Sequence, residues 1–195
     1  PTRLLVQRSI HDELVERAVA TATGLPIGDP LDVGTVVGPV ITERDRDRIL
    51  GVVSQAVSEG SGTVLAGSTE PATDIGPGWF VRPVVFDEAD PNSSVVREEI
   101  FGPVLSIMTF DDEDEAIALA NDTRYGLAGY VHTTNVTRAH RVASRLDAGY
   151  ISINGFAALP ASAPFGGYRL SGQGKEGGRL GLAEFYREKN VYLPM

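Results

Sequence analysis

Two adjacent carboxylates and an aromatic ring occur together in the segment Glu98-Glu99-Ile100-Phe101-Gly102-Pro103-Val104. Glycine permits backbone angles that other residues avoid and proline fixes φ, so the Gly-Pro pair predicts a turn of one defined shape. An apolar run follows, which places the ring and at least one carboxylate at the mouth of a strand, a common position for ligand sites in α/β proteins. A carboxylate beside an aromatic face suits a ribose diol next to a flat heterocycle. The alternative interpretation is a solvated acidic pair and a core phenylalanine in an ordinary turn.

A second candidate, Gly172-Gln-Gly-Lys-Glu-Gly177, matches the dinucleotide-binding pattern G-x-G-x-x-G. That pattern binds phosphate when it follows a buried strand and opens a helix. The residues before it, 165–171, do not form an apolar strand, so we interpret the match as a coincidence. The histidines His11, His132 and His140 are scattered and none pairs with a carboxylate at ligand spacing, so no metal site is predicted.

The 195-residue sequence contains no cysteine, which removes thiol nucleophiles and thiolate metal sites from this chain. It also has no Gly-x-Ser-x-Gly segment, the pattern of many serine hydrolases. The net charge is −9, which argues against a nucleic-acid or anionic-membrane partner. No apolar run approaches the roughly 20 residues of a membrane span, and no signal-peptide pattern occurs. We therefore expect a cytoplasmic protein with neither membrane nor nucleic acid as partner.

Strand and helix patterns alternate along the chain. Apolar runs predict strands at 1–8, 63–66, 79–86, 104–110, 127–132, 150–154 and 190–193. Helical spacing predicts helices near 9–24, 42–57, 93–97, 112–120, 135–146 and 180–186, with Ser9–Asp12 and Thr42–Asp45 as N-terminal caps. The alternation predicts one domain of α/β class, an open, mostly parallel sheet with helices packed on it. Residues 157–178 are expected to be a functional loop that is poorly ordered without packing partners.

Several segments, taken in order, resemble the aldehyde dehydrogenase superfamily over nearly the whole chain. The matching segments are Arg3-Leu-Leu-Val-Gln-Arg-Ser, Gly28-Asp-Pro-Leu-Asp with Gly38-Pro, Glu98 to Val104, Asn121-Asp-Thr-Arg-Tyr-Gly-Leu-Ala, and Ile153-Asn154 with Pro164-Phe-Gly-Gly-Tyr-Arg-Leu-Ser-Gly. The resemblance implies the C-terminal part of the catalytic domain, residues 1–188, followed by an oligomerisation strand, 189–195. The family's nucleophilic cysteine, its general-base glutamate and its cofactor domain would all lie upstream, so no catalytic residue is assigned in this chain.

The resemblance also implies a reaction. A cysteine thiolate attacks an aldehyde, the thiohemiacetal gives a hydride to NAD or NADP, and water hydrolyses the thioester to a carboxylic acid. Glu99 would hold the nicotinamide ribose and Phe101 would pack near the nicotinamide, with the cofactor bound mainly by the upstream domain. Asn154 and Phe165 would line the pocket for the aldehyde substrate. The complete protein would be a homodimer or homotetramer joined through the C-terminal strand.

Two other functions remain open at this stage. The chain could be a non-catalytic assembly or interaction module that uses its C-terminal strand, or a nucleotide-binding domain with another chemistry that uses Gly172 to Gly177. Under the dehydrogenase interpretation, the chain alone is expected to be inactive because it lacks the thiol. The segment Phe156-Ala-Ala-Leu-Pro-Ala-Ser162 carries no basic side chain. It therefore predicts a preference for uncharged, apolar aldehydes over carboxylated ones, because an unpaired buried carboxylate is costly.

Overall fold

The computed structural model describes residues 2–156 and 159–195, and its contacts divide the chain into two compact units, Pro1–Leu119 and Ala120–Met195. The strands are β1 Arg3–Gln7, β2 Thr63–Ala66, β3 Val84–Asp87, β4 Val104–Phe110, β5 Ala128–Val131 and β6 Tyr150–Ile153. The helices are α1 His11–Gly24, α2 Glu43–Ser58, α3 Ser94–Arg97, α4 Glu113–Asn121, α5 Val136–Arg145 and α6 Gly178–Ala183, with short 3₁₀ turns at Arg8–Ile10 and Arg169–Ser171. This order confirms the predicted α/β class.

The first unit is built on a four-stranded sheet in the order β1-β4-β3-β2. β4 pairs in parallel with both β1 and β3, whereas β2 pairs antiparallel with β3. Parallel neighbours need crossover connections, and the helices that follow β1 and β3 in the sequence lie in these connections. The predicted open, mostly parallel sheet is therefore confirmed.

Helices cover both faces of this sheet because successive strand residues point to opposite sides. In β3, Val84 and Phe86 pack into one core with Ile49 of α2, while the intervening Val85 packs into a second core on the α1 face. Ile49 and Phe86 are fully shielded from solvent. The α2 helix starts as predicted, since the Thr42 side chain accepts a hydrogen bond from the Asp45 backbone N–H. The two apolar faces of β3 and β4 explain why both strands read as continuous apolar runs.

The second unit contains the parallel pair β5 and β6, in register from Ala128 opposite Tyr150 to Val131 opposite Ile153. Helix α5 contacts both strands and buries Ala139. Asn135 caps this helix by accepting a hydrogen bond from the Arg138 backbone N–H at 2.9 Å, so the predicted start of the helix is confirmed.

Several predicted element boundaries are wrong. The predicted cap at Ser9 is absent, because a 3₁₀ turn precedes α1 and Ile10 occupies the N-cap position. The predicted strand 79–86 begins only at Val84, because Pro83 has no N–H to donate to a ladder.

Residues 159–178 have packing partners within their own unit, contrary to expectation, while Ala157 and Ala158 lie outside the described residues. The tail 190–193 forms no strand among the described residues, and its pairing with another subunit stays a prediction.

Candidate functional site

The turn that the sequence analysis singled out is anchored by Ile100. This side chain is only 2% exposed and belongs to the core formed with α2, whereas Glu99 and Phe101 on either side of it face solvent. Phe101 has a φ of +49°, in the left-handed region that non-glycine residues rarely adopt. The residue is 78% exposed. The turn therefore presents a carboxylate and an aromatic face to solvent, as the sequence predicts.

Three contacts hold the turn in this shape. Arg48 on α2 donates a hydrogen bond from Nη2 to the Ile100 carbonyl oxygen at 2.7 Å. The Val84 N–H donates to the Pro103 carbonyl at 2.8 Å, which joins the turn to β3. A Cβ at Gly102 would lie 2.8 Å from Cδ1 of Ile49, so only glycine lets the chain pass this close to the core. The conformation of the turn thus depends on partners far away in sequence.

The chemistry open to this turn is acceptance of hydroxyl hydrogen bonds beside a flat apolar wall. Within the described part of the chain, the Glu99 carboxylate has no hydrogen-bond or ion-pair partner, so both of its oxygens are available. A carboxylate accepts hydrogen bonds from vicinal hydroxyls, and an exposed phenyl ring stacks on a heterocycle or shields it from water. These properties fit the ribose and base portions of a dinucleotide.

An open apolar cavity of about 500 Å³ lies on the α1 side of the same sheet. Its walls include Leu14 and Ala18 of α1, Leu105 of β4, and the Gly102–Pro103 pair of the turn. Arg17 is the one titratable side chain among the described residues of this lining. The described lining therefore offers apolar contact surface but no cluster of groups for acid–base chemistry.

Asn154, predicted to line a substrate pocket, follows β6 in the second unit with a φ of +51°. Its side-chain amide accepts from the Thr133 N–H and donates to the Thr133 carbonyl, both at 2.8 Å. The Asn154 N–H also donates to the Val131 carbonyl at 2.9 Å. The amide thus ties the ends of β5 and β6 together, and a role in lining the pocket stays a prediction.

Phe165, the other predicted pocket residue, lies near the opposite end of β6. It exchanges two backbone hydrogen bonds of 2.7 Å with Glu176, and its ring meets the Tyr150 ring edge-on with centroids 6.0 Å apart. Tyr150 begins β6 and Asn154 follows its end, so the structure separates these two residues by the length of a strand. Glu99 and Phe101, in contrast, share one turn of the first unit.

His11 is a residue whose surroundings the sequence analysis missed. Its Nδ1 lies 2.9 Å from Oδ1 of Asp12 and its Nε2 lies 2.8 Å from Oδ1 of Asp87. The hydrogen bonds to Asp12 and then to Asp87 raise the pKa of His11 above its ordinary value. Sequence spacing did not indicate this pairing, because Asp87 is 76 residues away from His11 in the sequence. No group of three or more potential metal ligands occurs in the described residues.

The glycine-rich segment Gly172 to Gly177 lacks the context of a dinucleotide-binding loop. It follows the 3₁₀ turn Arg169–Ser171 rather than a strand, and it leads into α6, a helix of six residues. Three of its glycines have φ between +71° and +129°, which explains the glycines by backbone conformation alone. Among the described residues, no helix is both long and apolar enough to cross a membrane.

The α/β architecture and the exposed carboxylate–phenyl turn together describe an α/β protein with a candidate dinucleotide site. Comparisons with known proteins identify its family. The aldehyde dehydrogenase family model matches residues 1–191. The chain belongs to the aldehyde dehydrogenase family. It is 39% identical over 194 residues to betaine aldehyde dehydrogenase of Brucella anthropi and 40% identical to that of Rhizobium leguminosarum bv. trifolii, covering 100% of this chain and 40% of each relative. It therefore spans about 40% of the length of these curated relatives.

Solved structures give the same assignment. The crystal structure of an aldehyde dehydrogenase from Mycobacterium tuberculosis complexed with NAD+ superposes with a TM-score of 0.92 at 40% identity, covering 100% of this chain and 40% of that one. Betaine aldehyde dehydrogenase from Staphylococcus aureus in complex with NAD+ superposes with a TM-score of 0.90 at 39% identity, covering 94% and 37% of the two chains. The fold described above is thus the fold of the corresponding part of these enzymes.

Proposed function

We propose that the complete protein to which this chain belongs oxidises an aldehyde to a carboxylic acid with NAD+ or NADP+. The cofactor would accept the hydride, and the nucleophile would be a cysteine outside these 195 residues. The observation that carries the proposal is the family turn itself, in which Glu99 and Phe101 face solvent beside the buried Ile100. The two relatives of known structure cited above were crystallised with NAD+.

Within this proposal, each residue of the turn has a distinct part. Glu99 accepts hydrogen bonds from the nicotinamide ribose hydroxyls, and Phe101 forms a wall beside the nicotinamide. Because the turn is already held by Arg48 and Gly102, little conformational entropy is lost when the cofactor binds. Asn154 orders the end of β6, and Phe165 contributes an apolar wall to the aldehyde pocket.

The proposed activity is tested by purifying the complete protein and following formation of the reduced nicotinamide with hexanal, benzaldehyde and succinate semialdehyde. We expect activity with NAD+ or NADP+ from the complete protein and none from the 195-residue chain alone. We also expect kcat/KM to favour the uncharged aldehydes. Oxidation of no aldehyde by the complete protein would refute the proposal. A preference of about tenfold for the semialdehyde, worth about 1.4 kcal/mol, would refute the predicted substrate class.

A cationic aldehyde is a second candidate substrate, because the relatives named above are betaine aldehyde dehydrogenases. Tyr130 and Phe156 stack with ring centroids 5.6 Å apart and an interplanar angle of 8°, and Phe156 remains 75% exposed. Exposed aromatic faces attract quaternary ammonium groups through their π electrons. Betaine aldehyde therefore belongs in the same substrate panel, and Phe156→Ala should weaken its use more than that of hexanal if this face binds the cation.

The alternative function, a non-catalytic assembly module, would use the exposed tail. Val191, Tyr192 and Leu193 are each at least 80% exposed, and an uncovered apolar segment invites pairing with another sheet edge. We propose that this tail joins subunits of the dehydrogenase rather than replacing its catalytic role. Deleting residues 189–195 from the complete protein should lower its mass in sedimentation equilibrium. An unchanged mass would exclude the tail as the assembly element.

A further inference from the structure

The Arg169 guanidinium group binds two segments of the second unit that are distant in sequence, one at Asn121–Thr123 and one at Asp147. The residue lies in the 3₁₀ turn with a φ of +53°. Its Nη1 donates to the Asn121 carbonyl at 3.1 Å and to the Thr123 carbonyl, and its Nη2 pairs with the Asp147 carboxylate. These partners lie 22 to 48 residues earlier in the sequence. A planar fork with several fixed donors is suited to bind carbonyls and a carboxylate at once.

Further hydrogen bonds join the same segments in parallel with Arg169. The Asn121 side-chain amide donates to the Arg145 carbonyl and accepts from the Asp147 N–H, both at 2.8 Å. The Gly126 N–H donates to the Ser171 hydroxyl at 3.0 Å. The segments 121–126, 145–149 and 166–171 thus form one hydrogen-bonded cluster, which we call the loop clasp.

The loop clasp leaves little room for movement near Phe165. A Cβ at Gly149 would overlap the Gly166 carbonyl oxygen, so these two backbone segments are in direct contact. A Cβ at Gly167 would lie 2.6 Å from the backbone of Ser171, which shows how tightly the loop turns after Phe165. Closely packed segments transmit a displacement rather than absorb it. A shift at Arg169 should therefore move the Phe165 ring.

We propose that Arg169 is a positioning residue that sets aldehyde affinity by holding Phe165 in place. This inference rests on the proposed dehydrogenase function, in which Phe165 lines the substrate pocket. Arg169 itself does not touch the substrate in this scheme, because its guanidinium is engaged by backbone carbonyls and by Asp147. The cofactor turn with Glu99 belongs to the other unit, so loss of Arg169 should affect the aldehyde and leave NAD+ binding nearly unchanged.

The test uses Arg169→Met in the complete protein, with Arg179→Met as the matched control. Arg179 is an exposed arginine of α6 with no hydrogen-bond partner among the described residues. We expect Arg169→Met to raise the KM for hexanal about tenfold, equivalent to about 1.4 kcal/mol, with kcat and the KM for NAD+ within about twofold of the wild type. Arg169→Lys should rescue part of the loss, since an ammonium keeps the charge but lacks the fork.

A second measurement does not depend on catalysis. The Lys175 ammonium donates to the Gly166 carbonyl at 2.8 Å and lies 4.8 Å from the centre of the Tyr168 ring, so this trypsin site is held against the loop. Arg169→Met should accelerate tryptic cleavage after Lys175 about tenfold, and Arg179→Met should not. If Arg169→Met does not fold, Asp147→Asn must show the same two effects to a smaller degree.

The outcomes separate the two proposals. A wild-type protein that oxidises no aldehyde refutes the proposed function, while faster cleavage in Arg169→Met would still support the loop clasp. An active wild type combined with an unchanged KM for hexanal in Arg169→Met refutes the positioning role. Equal effects of Arg169→Met and Arg179→Met, or a loss confined to kcat, would also overturn it.

Discussion

The hydrogen bond from Arg48 to the Ile100 carbonyl provides a sharp test of how the cofactor turn is held. Arg48→Met removes the 2.7 Å bond but keeps an unbranched apolar stem on α2. Hydrogen bonds that involve a charged partner contribute roughly 1.5–3 kcal/mol. Because Arg48 itself is exposed, we expect the lower end of that range, about 1.5 kcal/mol, to be lost from the free energy of unfolding.

The same loss sets a limit on the effect on cofactor binding. If the whole free energy of the lost hydrogen bond is needed to hold the turn in its binding conformation, the dissociation constant for NAD+ rises by at most about tenfold. A free energy of about 1.4 kcal/mol corresponds to a factor of ten in this constant. The matched control is Arg44→Met, on the same helix four residues earlier, where the side chain is exposed and makes no hydrogen bond to a described residue. This control should change stability by less than about 0.5 kcal/mol.

The assay combines urea denaturation of the complete protein, followed by circular dichroism, with titration of NAD+ by intrinsic fluorescence. Arg48→Met should lower both stability and NAD+ affinity, and Arg44→Met should lower neither. Equal destabilisation by the two variants would refute the role of the Ile100 carbonyl bond. A destabilised Arg48→Met protein that binds NAD+ with wild-type affinity would refute the link between this turn and the cofactor.

Three further predictions follow from the geometry. Glu99→Gln should weaken NAD+ binding by about 1.5–3 kcal/mol; an equal effect of Glu98→Gln in the same titration would contradict the assignment. The two carboxylates that raise the pKa of His11 stabilise the fold below the unfolded-state pKa of about 6.5, and this contribution disappears as the pH rises through the raised value. The stability difference between wild type and His11→Ala, measured by urea denaturation, should therefore be largest in mild acid, and a difference independent of pH would exclude the pairing. Gly149→Ala should cost about 3 kcal/mol or more because its Cβ would overlap a backbone oxygen, whereas Gly155→Ala, whose Cβ meets no atom of a described residue within 3.4 Å, should cost far less in the same assay.

Local signals in the sequence were sufficient for several of the regular elements. The Thr42–Asp45 cap and the apolar run 104–110 predict α2 and β4 with correct starts, since caps and continuous apolar runs depend on nearby residues alone. The turn at the Gly-Pro pair could also be predicted, with a core position for Phe101 left open as the alternative interpretation. The positive φ of Phe101 could not, because it depends on the burial of Ile100 against α2.

The parts that the sequence did not reveal depend on partners far apart in the chain. Arg169 reads as a solvated loop residue until the turn at Asn121 is brought to it, and His11 reads as isolated until β3 places Asp87 beside it. Strand order and packing determine which distant residues come into contact, and local sequence spacing encodes neither. The same limit explains why residues 159–178 looked unsupported in the sequence although they bond to each other across the Phe165–Glu176 pair.

The two helices that pack on the first sheet, α1 and α2, differ in how many of their residues are buried. This difference predicts which helix unfolds first. Helix α2 buries Ile49, Leu50, Val53 and Ala56, whereas none of the residues described in α1 is buried and this helix borders the open cavity. Segments with little buried apolar surface open at lower free energy. In hydrogen–deuterium exchange, the amides of α1 should therefore exchange earlier than those of α2. The α1 face of the sheet would then be the first part of this unit to become accessible to proteases and chaperones.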